Sequence, residues 1–335
     1  MSKKRKNERK QRRQQKKPKA DAAALDGAPP VRAELWTHLA DAMLLLLMLE
    51  YAYLYMRPGG DGALWVFLIG RDILAMSTFT FLGFALLYSA LRRPFLRPGR
   101  MRSFVILAFV TGAAPFPILY PSSHEDQPSE IAFELPVKGE WQVFWGGLEP
   151  EENRLARFFT DQRFGMHLVP ASPGARFEGE DRTRPESYAA WDQPVLAPAA
   201  GTVVALRADV DDHPVGARVR DGRPLGNYVA LRVAAGEFLF VSHLRQGSIA
   251  VNLGDAVALG SELGRVGFSG LTRVTPEPHV AIHLQDTALE GWGEPIPWAF
   301  QRYFANGALV ETGLPTGGIA SSGALQGQVV RRATN

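Results

Sequence analysis

Pro276-Glu277-Pro278-His279-Val280-Ala281-Ile282-His283-Leu284 is an apolar run entered through two prolines and carrying two imidazoles. On a strand, side chains alternate between faces at about 3.3 Å per residue, so Val280, Ile282 and Leu284 share one face and His279, Ala281 and His283 the other. His279 and His283 then lie roughly 13 Å apart along the strand, too far to share one ion. Similar β-type runs surround it: Val143–Trp145, Gly201–Leu206, Tyr228–Val233, Glu237–Ser242 and Gly264–Gly267, separated by Gly, Pro and Asp. No convincing amphipathic helix interrupts them, so residues 137–311 read as one all-β domain. A polar, Pro-containing linker, 122–136, precedes it, and 312–335, rich in Gly, Ser and Ala, reads as a flexible tail.

Upstream the composition changes. The chain has 335 residues, 37 Lys+Arg, 34 Asp+Glu and no cysteine, which excludes disulfide scaffolds and thiolate metal sites. Residues 1–19 hold eleven basic side chains and one acid, leaving 26 basic and 33 acidic residues for the other 316. The basic excess is thus a tail and the rest is acidic, which argues against a nucleic-acid partner. Residues 1–32 read as a disordered cytoplasmic segment resting on anionic lipid headgroups.

Three apolar runs follow, at about 35–56, 64–91 and 103–120, and read as a three-helix transmembrane anchor. A cleavable signal peptide competes for the first run, against a polar lead of some thirty residues and no small-residue cleavage site. Arg92, Arg93, Arg97, Arg100 and Arg102 fill the loop between the second and third runs without an acid. By the positive-inside rule the amino terminus and this loop are cytoplasmic, and everything after Tyr120 is extracytoplasmic. Glu50 and Arg71 lie at similar depth and could pair within the membrane. The alternative puts Arg71 and Asp72 at the headgroups and Glu50 against a partner helix.

In the β domain, Gln193–Val204, Gly226–Leu231, Phe240–Leu244, Val251–Val257, Gly264–Gly270 and Pro276–Leu284 follow one another in an order that resembles the LytM/lysostaphin-type zinc endopeptidases of peptidoglycan. The likeness covers roughly Trp141 to Phe304. It implies an open β-sheet groove in which a His and an Asp from an early motif, with the second His of a late His-x-His, hold zinc beside an open position. Two further histidines flank the metal-bound water, and their counterparts here are His243 and His279. The ligand positions depart from that pattern: they fall on Leu155 or Ala156, on His167 and on Ala281. Two of the three are apolar and the Asp has become His.

No metal is therefore expected, with zinc the implied cofactor if the site is unconventionally intact. The resemblance implies a peptidase-like envelope protein, catalytically degenerate, that binds peptidoglycan peptide or regulates a wall hydrolase through a groove carrying His167, His243, His279 and His283. Two alternatives stand beside it: an active zinc metalloendopeptidase cleaving peptidoglycan cross-links, and a structural component of an envelope complex. If the domain binds an anionic stem-peptide carboxylate, protonation of the clustered groove histidines near pH 6 tightens that binding, each gaining a charge within the site.

Overall fold

The computed structural model describes residues 34–56, 59–92, 94–171, 176–178, 180–219, 223–272, 274–320 and 323–333. The expected basic tail lies outside them. The chain divides into two compact units, one made of the described residues up to Leu46 with Met76–Thr111, the other of Leu47–Ala75 with Gly112 onward.

Helix α1 runs Leu35–Tyr55. The next helix is continuous from Gly60 to Ala90, as α2 (Gly60–Trp65), a π turn (Val66–Gly70) and α3 (Arg71–Ala90). Among the described residues these two, 21 and 31 residues long, are long and apolar enough to cross a membrane. The third expected span is corrected. Its helix, α4 (Pro98–Ala113), has 16 residues, starts among the arginines and stops short of Pro115. At 1.5 Å per residue it spans about 24 Å, less than a hydrocarbon core of about 30 Å.

Within the first unit, Arg100 is buried and paired with Glu34 at 2.7 Å, and Arg102 pairs with Asp41 at 2.6 Å. Within the second, Arg71 donates to the carbonyls of Ala114 and Phe116 and lies over the Tyr51 and Phe67 rings. No ion pair joins Glu50 to Arg71 among the described residues: the guanidinium is taken by carbonyls left free where the chain leaves its helix at Pro115–Pro117, and Glu50 Oε2 is buried without a hydrogen bond.

The β domain is a ten-stranded antiparallel sheet in the order β11-β10-β12-β1-β2-β9-β6-β5-β4-β7 and a β3–β8 ribbon. The strands are β1 (Trp141–Trp145), β2 (Met166–Pro170), β3 (Pro194–Leu196), β4 (Gly201–Arg207), β5 (Asn227–Ala234), β6 (Glu237–Leu244), β7 (Ala256–Val257), β8 (Glu262–Arg265), β9 (Val280–Gln285), β10 (Phe300–Ala305), β11 (Ala308–Gly313) and β12 (Val329–Arg332). Period-2 alternation sorts their side chains. Val229, Leu231, Leu239, Val241, Val280, Ile282 and Leu284 share the main core with the ribbon's Val195 and Leu263 and with Val266 just beyond it.

Two boundaries shift. Phe133 and Leu135, in the expected linker, are fully buried in that core, with Phe133 bridging to Phe300. The expected flexible tail supplies β12, which sits between β10 and β1. The approach to β1 is close: a Cβ on Gly327 would lie 1.7 Å from the Val143 carbonyl oxygen, so only glycine fits.

Candidate metal centre

The other face of the sheet carries the polar residues. β2 pairs with β9 so that His167 stands directly opposite Ala281, and β6 pairs with β9 so that Ser242 stands opposite Ala281 from the other side. The position where the resemblance expects a ligand is therefore flanked by His167 and Ser242, and its methyl group offers no lone pair.

His243 reaches this face by a local irregularity. Strict alternation from Leu239 and Val241 would send it into the core. Instead Asn227 pairs with Leu244 and Tyr228 with Ser242, leaving His243 as the extra residue of a bulge with φ 62°. Left-handed backbone at a non-glycine residue is strained by roughly 1–3 kcal/mol and persists where its surroundings over-determine it. Here the His243 amide donates to the Leu225 carbonyl, and its own carbonyl accepts from the Gly267 amide.

The bulge brings three imidazoles together. Ring centroids are 4.6 Å apart for His167 and His279, 4.7 Å for His243 and His279, and 5.9 Å for His167 and His243. One donor nitrogen from each lies within 4.8 Å of those of the other two. Each Nδ1 is engaged: His243 with the Ser269 carbonyl at 2.8 Å, His279 with the Glu277 carbonyl at 2.7 Å, His167 with Thr275 Oγ1 at 2.7 Å. A carbonyl only accepts, so His243 and His279 carry their proton on Nδ1 and present the Nε2 lone pair. Thr275 can serve either tautomer of His167.

All three rings are at most 3% exposed. Burial first, then the neighbouring imidazoles, pushes His167 and His279 well below the usual histidine range and His243 down to about 4. The set is neutral at physiological pH, and the accessible imidazoles that would titrate near pH 6 do not form, because the groove floor is covered. Trp145, the cross-strand partner of His167, donates through Nε1 to the Val274 carbonyl, while Val274, Ile319 and Leu325 pack with Phe144, Trp145 and Leu155.

The donor set fits a borderline divalent ion such as zinc, which binds imidazole nitrogen, better than calcium or magnesium, which need oxygen. Buried Nε2 atoms of His167 and His279 without a hydrogen-bond partner support that fit. Zinc is the cofactor expected if the site is unconventionally intact, and the residues that would hold it are His167, His243 and His279.

The other expected site residues lie elsewhere. Leu155 is fully buried among Phe144, Trp145 and Val169. Asn153, which begins that motif, instead ties the loop together through the Gly147, Arg163 and Gly165 carbonyls. Ala156 follows Leu155 in a single helical turn, α5 (Leu155–Phe158). His283 stacks on Phe240 at 4.9 Å and places Nε2 3.8 Å from Asp161 Oδ2, in a separate, fully buried pair. Asp161, Thr275 and Ser242 were not singled out from the sequence. No spacing rule marks them, because each is brought in from a different loop or strand.

No protein-family model matches the sequence, and no curated protein matches it. Similar solved structures exist. The catalytic domain of the prophage-encoded M23 protein EnpA from Enterococcus faecalis, in a mutant form, is 19% identical over 49% of this chain and 94% of that one, with a TM-score of 0.30. A zinc containing peptidase from Vibrio cholerae is 20% identical over 50% of this chain and 41% of that one, with a TM-score of 0.29. A chain of the SpoIIIAH–SpoIIQ complex is 17% identical over 49% of this chain and 96% of that one, with a TM-score of 0.31. At these values the likeness assigns no role to any residue here.

Proposed function

We propose that this chain is a membrane-anchored, peptidase-like envelope protein whose β domain binds without hydrolysing. One observation carries the reading: the position between His167 and Ser242 is Ala281, and the imidazoles around it are closed off from solvent. Helix α1 and the Gly60–Ala90 helix supply the anchor. The reading puts the β domain on the wall side, with peptidoglycan peptide or a wall hydrolase as its partner.

A bound zinc ion is a Lewis acid that polarises an amide and acidifies water. In this chain the three imidazoles would hold it, but among the described residues no carboxylate belongs to the donor cluster, and none of the three rings is more than 3% exposed, so an amide has no approach. The competing reading, an endopeptidase with an all-imidazole site, has the His cluster in its favour and this closure against it.

Cosedimentation of the full-length protein in detergent with purified peptidoglycan, with release of soluble muropeptides measured in parallel, tests the proposal. Sedimentation with the wall and no release is expected. Release above that of a His167→Ala, His279→Ala double variant would overturn it.

A further inference from the structure

Among the described residues, five buried side-chain polar atoms on the covered half of the sheet lack a hydrogen-bond partner: His167 Nε2, His279 Nε2, Ser242 Oγ, His283 Nε2 and Gln285 Oε1. An unpaired buried polar group is costly, and so many on one face need an explanation. His283 has Asp161 nearby. The pair at His167 and His279 is different, because their rings stack at 4.6 Å, both offer Nε2, and His243 closes the third side at 4.7 Å from His279. Three neutral imidazoles meeting in a buried pocket, each oriented from behind through Nδ1, have the arrangement of ligands with their supporting shell.

We propose that His167, His243 and His279 bind one divalent transition-metal ion of the zinc type through their Nε2 atoms as a structural ion. This ligand set differs from the one the resemblance implies: His243 and His279 stand where that pattern has non-ligands, and His167 where it has an acid. The ion's structural rather than catalytic character rests on the reading of the site as closed to substrate. Its mechanical effect follows from where the ligands sit. His167 is on β2, His243 on the β6 bulge and His279 at the entry to β9, so one ion clamps three segments far apart in sequence. It also fixes the covering loop, since Thr275 and the Glu277 carbonyl hold two of the ligands from that loop. The strained φ of His243 fits such a clamp, because a ligand bond over-determines the bulge.

Full-length protein in detergent, stripped with a chelator, is titrated with cobalt(II) and separately with zinc(II). About one equivalent of cobalt should develop tetrahedral visible absorption, and zinc should raise the unfolding temperature by roughly 2–8 °C. Magnesium or calcium should do neither. Thr275→Val, which removes the hydroxyl behind His167 and keeps the side-chain shape, should weaken cobalt binding about 10–100-fold. His124→Gln, outside the cluster, should leave it unchanged. Absence of a cobalt band and of a zinc-dependent shift in the wild type would overturn the proposal, as would equal affinity in wild type and Thr275→Val. The two readings fail separately. Muropeptide release by the zinc-loaded protein would refute the non-hydrolytic function while leaving the ligands standing. A protein that binds no ion would refute the ligands while leaving that function intact.

Discussion

His167 and Ala281 are direct cross-strand partners on β2 and β9, and Ala281 pairs with Ser242 on β6 at the same level. Opposed Cβ atoms in such pairs lie about 4.5–5.5 Å apart, so a side chain at 281 is within reach of whatever His167 holds. Replacing Ala281 with His therefore adds a fourth imidazole to the cluster. Position 281 is 3% exposed, and the extra volume should cost about 1–3 kcal/mol in ion-free protein. Zinc should recover more stability in Ala281→His than in the wild type. Melting curves with and without zinc check this, and equal zinc-dependent gains would mean that residue 281 does not reach the ion.

Leu155→Ala tests the other sequence-derived ligand position. Leu155 is fully buried against Phe144, Trp145 and Val169, so truncation should destabilise by about 2–5 kcal/mol. Metal content per folded molecule should not change. Denaturant unfolding with metal analysis of the folded fraction separates the two effects.

How far the sequence could be read depends on what each feature needs. Strands β4, β5, β6 and β9 announce themselves by alternation, because one face enters the core. β12 does not, since its place between β10 and β1 is made by backbone pairing behind a Gly- and Ser-rich stretch that reads as a linker. The order of the β phrases located His243 and His279, but convergence with His167 depends on a bulge at His243 that no local pattern predicts. Leu155, on which the resemblance puts a ligand position, sits in an apolar cluster with Phe144, Trp145 and Val169, behind Asn153, which is spent on three loop carbonyls. The third membrane run misled because its apolar residues continue past Pro115, where a helix cannot.

The buried pair of His283 and Asp161 sets a pH dependence. Burial lowers His283 from 6.5 to about 3 and raises Asp161 from 3.8 to about 6. Below pH 6.5 the unfolded chain takes up a proton that folded His283 refuses, so this contribution falls as pH drops toward 3. Between about pH 4 and 6 folded Asp161 keeps a proton that the unfolded chain releases, so its contribution falls as pH rises. The two slopes oppose one another across that window. Asp161→Asn removes the second, and stability relative to wild type should fall more steeply on acidification, by about 1.4 kcal/mol per pH unit. Parallel stability curves for the two proteins between pH 4 and 6 would contradict this.

Glu294 is fully buried and accepts hydrogen bonds from the Gly60 amide, the Tyr120 hydroxyl, and the Ser123 amide and hydroxyl. It ties the loop after α1 and the segment beyond Pro117 to the β domain within one unit. Glu294→Gln replaces one acceptor oxygen by a donor facing these donors and should cost about 1–3 kcal/mol. Faster proteolysis between residues 56 and 123 is the expected readout, and an unchanged rate would show that the carboxylate is not what holds this segment.

Cleavage of cross-linked muropeptides by the full-length, zinc-loaded protein is the most direct test of the central claim, that a closed all-imidazole site has replaced a hydrolytic one. The account predicts product formation no faster than with the His167→Ala, His279→Ala variant. Zinc-dependent turnover that this variant abolishes would contradict it.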